Sequence, residues 1–112
     1  MKWLAMMTLL FATQASAHHG WSEYDADRPL KVSGTIEESG YIHPHGYVRL
    51  KTGDKTWLVV LAPPSRMENR GLSRNMLAKG TTASVHGYQN RNKPEEMRAE
   101  RITISGKTTE LR

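Results

Sequence analysis

Residues 30–38, LKVSGTIEE, alternate apolar and polar side chains, and this habit recurs along the chain. A repeat of two puts successive side chains on opposite faces of an extended strand. Leu30, Val32, Gly34 and Ile36 share one face, while Lys31, Ser33, Thr35 and Glu37 share the other. The pattern is a half-buried strand, and Gly34 inside it marks a bend or bulge. The stretch SGYIHPHGY then turns the chain. YVRLK alternates again with Val48 and Leu50 inward, TGDK reads as a hairpin turn, and TWLVVLA is a strongly apolar third strand. TTASVHGY gives a fourth strand, with Ala83 and Val85 on one face and His86 and Tyr88 on the other. RAERITI gives a fifth, with Ile102 and Ile104 inward.

Between the third and fourth strands lies PPSRMENRGLSRNMLAKG. Ser65 and Glu68 have capping-box spacing, and Pro63 and Pro64 stand where a helix start tolerates proline. Gly71 fits a helix stop, and Ser73 is placed to cap a second turn that buries Met76 and Leu77 before Gly80. The fold class expected is all-β with one short helix. Its element order is that of a small five-stranded OB-like barrel with the helix between strands 3 and 4; a small open sandwich is the alternative. The barrel is expected over residues 29–105, after a polar arm at 18–28 and before a frayed tail at 106–112.

The first 17 residues are excluded from this reading. One cation, Lys2, precedes an uncharged, mostly apolar run over residues 3–12, and Ala15-Ser16-Ala17 follows. The run is too short for a bilayer-spanning helix, which needs ~20 apolar residues. The three parts together describe a secretory signal peptide cleaved after Ala17. No cysteine follows the run to take a lipid. The expected product is therefore a single exported domain in a bacterial periplasm, not membrane-spanning after cleavage and monomeric.

That product has no cysteine, so no disulfide can staple it. Residues 18–65 carry 5 basic and 6 acidic side chains, and residues 66–112 carry 10 and 5. A basic half can attract an anionic polymer, although a solvated surface explains the charge as well. Export argues against nucleic acid as the partner. The sequence has no nucleophilic cysteine, Gly-x-Ser-x-Gly elbow or phosphate loop, so the expectation is a protein that is not an enzyme.

All five histidines lie beyond the cleavage site. His18 and His19 follow it directly. Cleavage would give His18 a free α-amine, so that the amine and its own ring could chelate one ion. A further imidazole would complete a three-nitrogen site suited to copper. His19 could bind instead through its ring, with the amine and the intervening amide assisting. His43 and His45 bracket Pro44, and an extended backbone there would project both rings to one side. Imidazole suits copper, zinc and nickel. The site would be pH-sensitive, because reference pKa values are ~7.7–8.0 for the amine and ~6.5 for imidazole. Against this stands the plainer account: a polar terminus, a proline turn whose rings bond the backbone, and His86 as a surface or packing residue.

Weaker constellations are Glu23, Asp25 and Asp27 as carboxylate donors, and Met67, Met76 and Met97 as a soft copper site. Core packing explains Met67 and Met76 more simply. Tyr47 and Tyr88, with Arg49, Lys51 and Arg91, would make a stacking platform of the kind OB barrels offer to single strands.

The order of these motifs resembles a family of small exported bacterial proteins classed as a domain of unknown function. Its marks are an Ala-His-His mature start and an Asn-Pro-His motif. Ala17-His18-His19, Tyr24-Asp25, Pro29, Gly34-Thr35 and RGLSRNMLAKGTTASVHGY carry the likeness here. His43-Pro44-His45 departs from it by placing His43 where the family has asparagine. The resemblance implies an exported β-domain of no established chemistry. It ranks His18, His19 and His45 ahead of His43 as candidate metal ligands, with His86 last. The sequence thus leads to an exported periplasmic protein that binds a copper or zinc ion. The alternative is a non-catalytic OB-like module whose partner is an anionic polymer or an envelope protein.

Overall fold

In the computed structural model, which describes residues 20–112, the alternating segments become strands. The segment read as a signal peptide, together with His18 and His19, lies outside the described residues. The strands are β1 (Tyr24–Gly40), β2 (Tyr47–Lys51), β3 (Thr56–Val60), β4 (Thr82–Asn90), β5 (Glu96–Ile104) and β6 (Lys107–Glu110). The helix α1 (Pro64–Asn69) and a 3-10 turn (Arg74–Leu77) connect β3 to β4. The sheet order is β3-β2-β1-β4-β5-β6, and a parallel β3–β5 pairing closes the first five strands into a ring. The architecture is mostly β and OB-like, with the helix between the third and fourth strands. No helix among the described residues is long and apolar enough to cross a membrane.

Ring closure depends on β1 serving two neighbours. Residues 29–35 pair with β4, and from Thr35 the strand also pairs with β2. At this changeover the backbones crowd: a Cβ on Gly34 would lie 2.1 Å from the Lys51 carbonyl oxygen. Glycine is needed there for close approach. Gly87 meets the same limit, 2.0 Å from the Arg98 carbonyl oxygen, beside the irregular β4–β5 register.

Ile36, Val48, Leu50, Trp57, Val59, Ala83, Val85, Met97, Ile102 and Ile104 fill the barrel, and Met67, Leu72 and Leu77 close it from the helix side. Leu30, Val32 and Met76, expected inside, are only partly buried against this core. The helix begins earlier than the capping-box spacing implies. Pro63, not Ser65, is the N-cap, and it makes no side-chain cap bond. Its carbonyl instead accepts from the amides of Arg66 and Met67. Proline at the first helical position lacks one of the amide hydrogens a cap would satisfy, so Ser65 falls inside the first turn. Gly71 does end the helix, at φ +85°. The Leu72 amide bonds the Met67 carbonyl and the Gly71 amide that of Glu68, which is the Schellman arrangement.

Two expectations about the ends are corrected. Residues 107–110 are not frayed but form β6 against β5, and Leu111 is only 2% exposed. Ser105 and Gly106 both take positive φ, the geometry of a two-residue hairpin turn. Arg66 and Arg70 of the helix segment then donate to the carbonyls of Leu111, Glu110 and Arg112. The strand count among the described residues is accordingly six, not five. At the other end, residues 24–28 of the expected arm belong to β1, and Tyr24 is buried.

Candidate functional site

The outer faces of β2 and β3 form the floor of a cleft of about 420 Å³. Tyr47 and Arg49 contribute from β2, and Leu58 and Val60 from β3. Because Trp57 and Val59 point into the core, β3 is apolar on both faces. An outward apolar pair on a barrel strand needs cover, and two loops rise on either side. The β1–β2 loop supplies Ile42, His43, Pro44, His45 and Gly46; the β4–β5 loop and the start of β5 supply Lys93 and Glu96. Ile42 is the exposed large apolar side chain among the described residues, at 54%.

Both ends of the histidine loop are fixed. The Tyr41 hydroxyl donates to the Leu72 carbonyl at 2.6 Å, and Arg74 lies over its ring at 5.1 Å. At the other end the Gly46 amide donates to the Ala62 carbonyl at 2.9 Å, and the Leu61 amide to that of Gly46 at 2.8 Å. The apex between them is a bend with a cis His43–Pro44 peptide, not the extended stretch expected. The same-side argument for the two rings therefore does not apply. Both histidines nonetheless border the cleft, His43 exposed and His45 half-buried.

The opposite wall is a held carboxylate. Glu96 Oε2 accepts from the Tyr24 hydroxyl at 2.5 Å and from Asn90 Nδ2 at 3.2 Å, and Lys93 Nζ lies 3.9 Å from Oε1. Burial, and then the bond to Glu96, pushes the Tyr24 phenol well above its ordinary pKa. On the floor, Glu38 accepts from Tyr47 at 2.7 Å and lies 3.6 Å from Arg49. That hydrogen bond, with smaller effects of burial and of the Glu38 charge, raises the Tyr47 pKa. Glu23 also lines the cleft, where the chain enters the barrel.

Of the four histidines proposed as ligands, His43 and His45 thus meet at one cleft, while His18 and His19 lie outside the described residues. Among the described residues, no group of three or more His, Cys, Asp or Glu side chains is placed to hold a metal ion. His86 stands apart on β4, with Nδ1 3.1 Å from Arg101 Nη1. Arginine has only donors, so Nδ1 accepts there. Met67 and Met97 are fully buried in the core.

The Tyr47–Tyr88 platform is not assembled. Tyr88 is on β4, edge-on to Trp21 and bonded to Glu100, whereas Tyr47 faces the cleft. Much of the basic second half is engaged in the fold: Arg66 and Arg70 bind carbonyls of the last residues, and Arg98 is buried beneath Trp21. Leu58, Val60 and Glu96 were not foreseen as site residues. The run TWLVVLA, which contains the first two, is the sequence signal for an outer face that needs covering.

Among solved structures, the chain is similar to a chain of a complex of TiaS with tRNA and ATP, with TM-score 0.55 and 20% identity over 80% of this chain and 20% of that one. It is also similar to a ZRD-deleted mutant of TiaS in complex with agmatine, with TM-score 0.54 and 21% identity over 76% and 24%. This chain therefore spans about a fifth to a quarter of those proteins, and at such identity the likeness is one of fold. No curated protein matches the sequence. A family model does match, over residues 7–101, and the chain belongs to that family, DUF6152, a family of unknown function.

Proposed function

We propose that this chain is an exported periplasmic binding domain, released by cleavage after Ala17, whose cleft takes a copper or zinc ion. One observation carries the reading: Glu23, five residues beyond His18, lines the same cleft as His43 and His45. Its carbonyl accepts from the Arg91 amide at 2.9 Å, so the chain enters beside the β4–β5 loop, across the cleft from the loop that bears His43 and His45. The α-amine created by cleavage and the ring of His18 or His19, with His45, form the nitrogen donor set; His43 is the auxiliary ligand. The β2–β3 face between the β1–β2 and β4–β5 loops is also where OB barrels bind their ligands. The role is transport, buffering or delivery of the ion, without catalysis.

Titration of the processed protein with Cu(II) and with Zn(II) tests this. Uptake of one ion per chain is expected. Loss of an outer-shell partner weakens metal sites by about 10–100-fold, and His45→Ala, which removes a ligand, should cost no less. Unchanged affinity in a His43→Ala/His45→Ala double variant overturns the reading.

A second reading has its own support in Arg49, Lys93 and the Tyr47 ring, which share the cleft with the apolar floor. These groups suit an acidic segment of an envelope protein or an anionic polymer. Such binding would weaken as salt is raised and would not need metal.

A further inference from the structure

Across β1, β2, β3 and β5 the register lines up Glu38, Arg49, Leu58 and Glu96. Side chains directly opposite one another in such a row share one face of the sheet. The two carboxylates of the row are differently placed. Glu38 and Arg49 answer each other at 3.6 Å, each with about half of its side chain exposed. Glu96 stands beside the apolar Leu58 with its side chain only 12% exposed. Its two side-chain hydrogen bonds among the described residues, from Tyr24 and Asn90, both end on Oε2. Beside Oε1 is the Lys93 ammonium, but at 3.9 Å it is beyond hydrogen-bond distance, and that side chain is 68% exposed. A poorly hydrated carboxylate oxygen that accepts no hydrogen bond is costly. A donor entering the cleft would remove that cost.

We infer that the cleft takes an alkylammonium group, with its charge on Glu96 Oε1 and its chain over Leu58, Val60 and Ile42. The carboxylate wall and the apolar floor suffice for this; the histidines take no part, and the metal reading is not needed. An amine with a lysine-like pKa of ~10.4 is an ammonium at neutral pH. The cavity, about 420 Å³, falls in the size range of small-molecule sites, which combine an apolar lining with a few fixed polar groups. Glu96 is the fixed group here, because two donors hold it and burial keeps it from swinging out. The cations of the cleft are not fixed in this way. Lys93 is on an exposed rim and Arg49 is already answered by Glu38, and exposed pairs of this kind hold weakly. Glu23 adds a second carboxylate to the lining.

The test follows backbone amide chemical shifts of the processed chain, in the presence of a chelator, as hexylammonium, hexanol and hexanoate are added separately. The three share one chain and differ in the head group. Hexylammonium should bind most tightly, with shifts centred on β3 and the start of β5. Glu96→Gln, which keeps an acceptor for Tyr24, should weaken hexylammonium about tenfold or more and leave hexanol unchanged. Lys93→Ala, at an exposed side chain, should tighten hexylammonium about two- to fivefold and serves if Glu96→Gln does not fold. Nα-acetyl-lysine methylamide separates the sources: binding tighter than hexylammonium assigns the site to a lysine side chain of a peptide, and weaker binding assigns it to a free amine. Hexanol or hexanoate binding as tightly as hexylammonium, an unchanged preference in Glu96→Gln, or no shifts in the cleft at millimolar hexylammonium overturns the inference. The chelator keeps metal out of every arm, so such a failure leaves the metal reading standing.

Discussion

Replacing Leu111 by alanine tests whether the last residues are part of the barrel. The side chain is 2% exposed and belongs to the same cluster as Ile102 and Leu77. Its amide donates to the Glu100 carbonyl at 2.8 Å. Leu→Ala at a closed site removes the transfer free energy of the side chain and leaves a cavity, which together cost ~2–5 kcal/mol. Small domains have only ~5–15 kcal/mol in total. In a domain of this size each kcal/mol lowers Tm by ~4–8 °C, so ~2 kcal/mol already means a fall of ~8–16 °C. Urea titration followed by tryptophan fluorescence would give the free energy, and a thermal melt the Tm. Glu110→Ala is the control. That side chain is 58% exposed and 3.0 Å from Arg101, and exposed ion pairs contribute only ~0.2–1 kcal/mol. If Leu111→Ala changes stability no more than the control, the terminus is not packed and β6 is not part of the cooperative unit.

Other predictions concern the bends, the buried phenol and the helix. Gly34→Ala drives a Cβ into the Lys51 carbonyl; with backbone on both sides, a loss of ~1–3 kcal/mol or more is expected in urea melts, and a neutral outcome would mean the β1 bend is not tight. Tyr24 should also shape alkaline unfolding. Its folded pKa is raised, first by burial and then by Glu96, so the stability it contributes is fully present below the usual ~10 and is lost as pH rises through the folded value. Tyr24→Phe should flatten the fall in urea midpoint above pH ~10, and an unaltered slope would refute the assignment. Arg66 Nη1 donates to the Leu111 carbonyl at 3.0 Å in a part-buried setting. Arg66→Ala should cost ~1.5–3 kcal/mol, and a cycle with Leu111→Ala should show coupling, since both act on one strand end.

The strand pattern was legible because each half-buried strand must alternate to keep one face dry. Val48 and Leu50 on β2, Ala83 and Val85 on β4, and Ile102 and Ile104 on β5 are inward as the alternation required. Gly71 was legible as a helix stop because its backbone conformation has few other occupants. β6 was not legible: KTTE carries no large apolar side chain, and only its pairing with β5 and the helix arginines gives it order. The histidine loop was legible as a turn, but its bend was read as extended. The other cleft wall was not legible at all, because Glu96 and Tyr24 are 72 positions apart.

Local pattern was thus enough to set the faces of the strands, the place of the helix and the order of elements that makes an OB-like ring, since periodicity and glycine placement are direct consequences of backbone geometry. It took the assembled barrel to settle which loops share a cleft, that a carboxylate is held opposite the histidine turn, and that the guanidinium groups of Arg98 and Arg112 lie against the Trp21 ring. Those pairings join residues far apart in the chain. Their energy arises on ring closure, when burial and charge first bring the partners together, and no short stretch of residues encodes it.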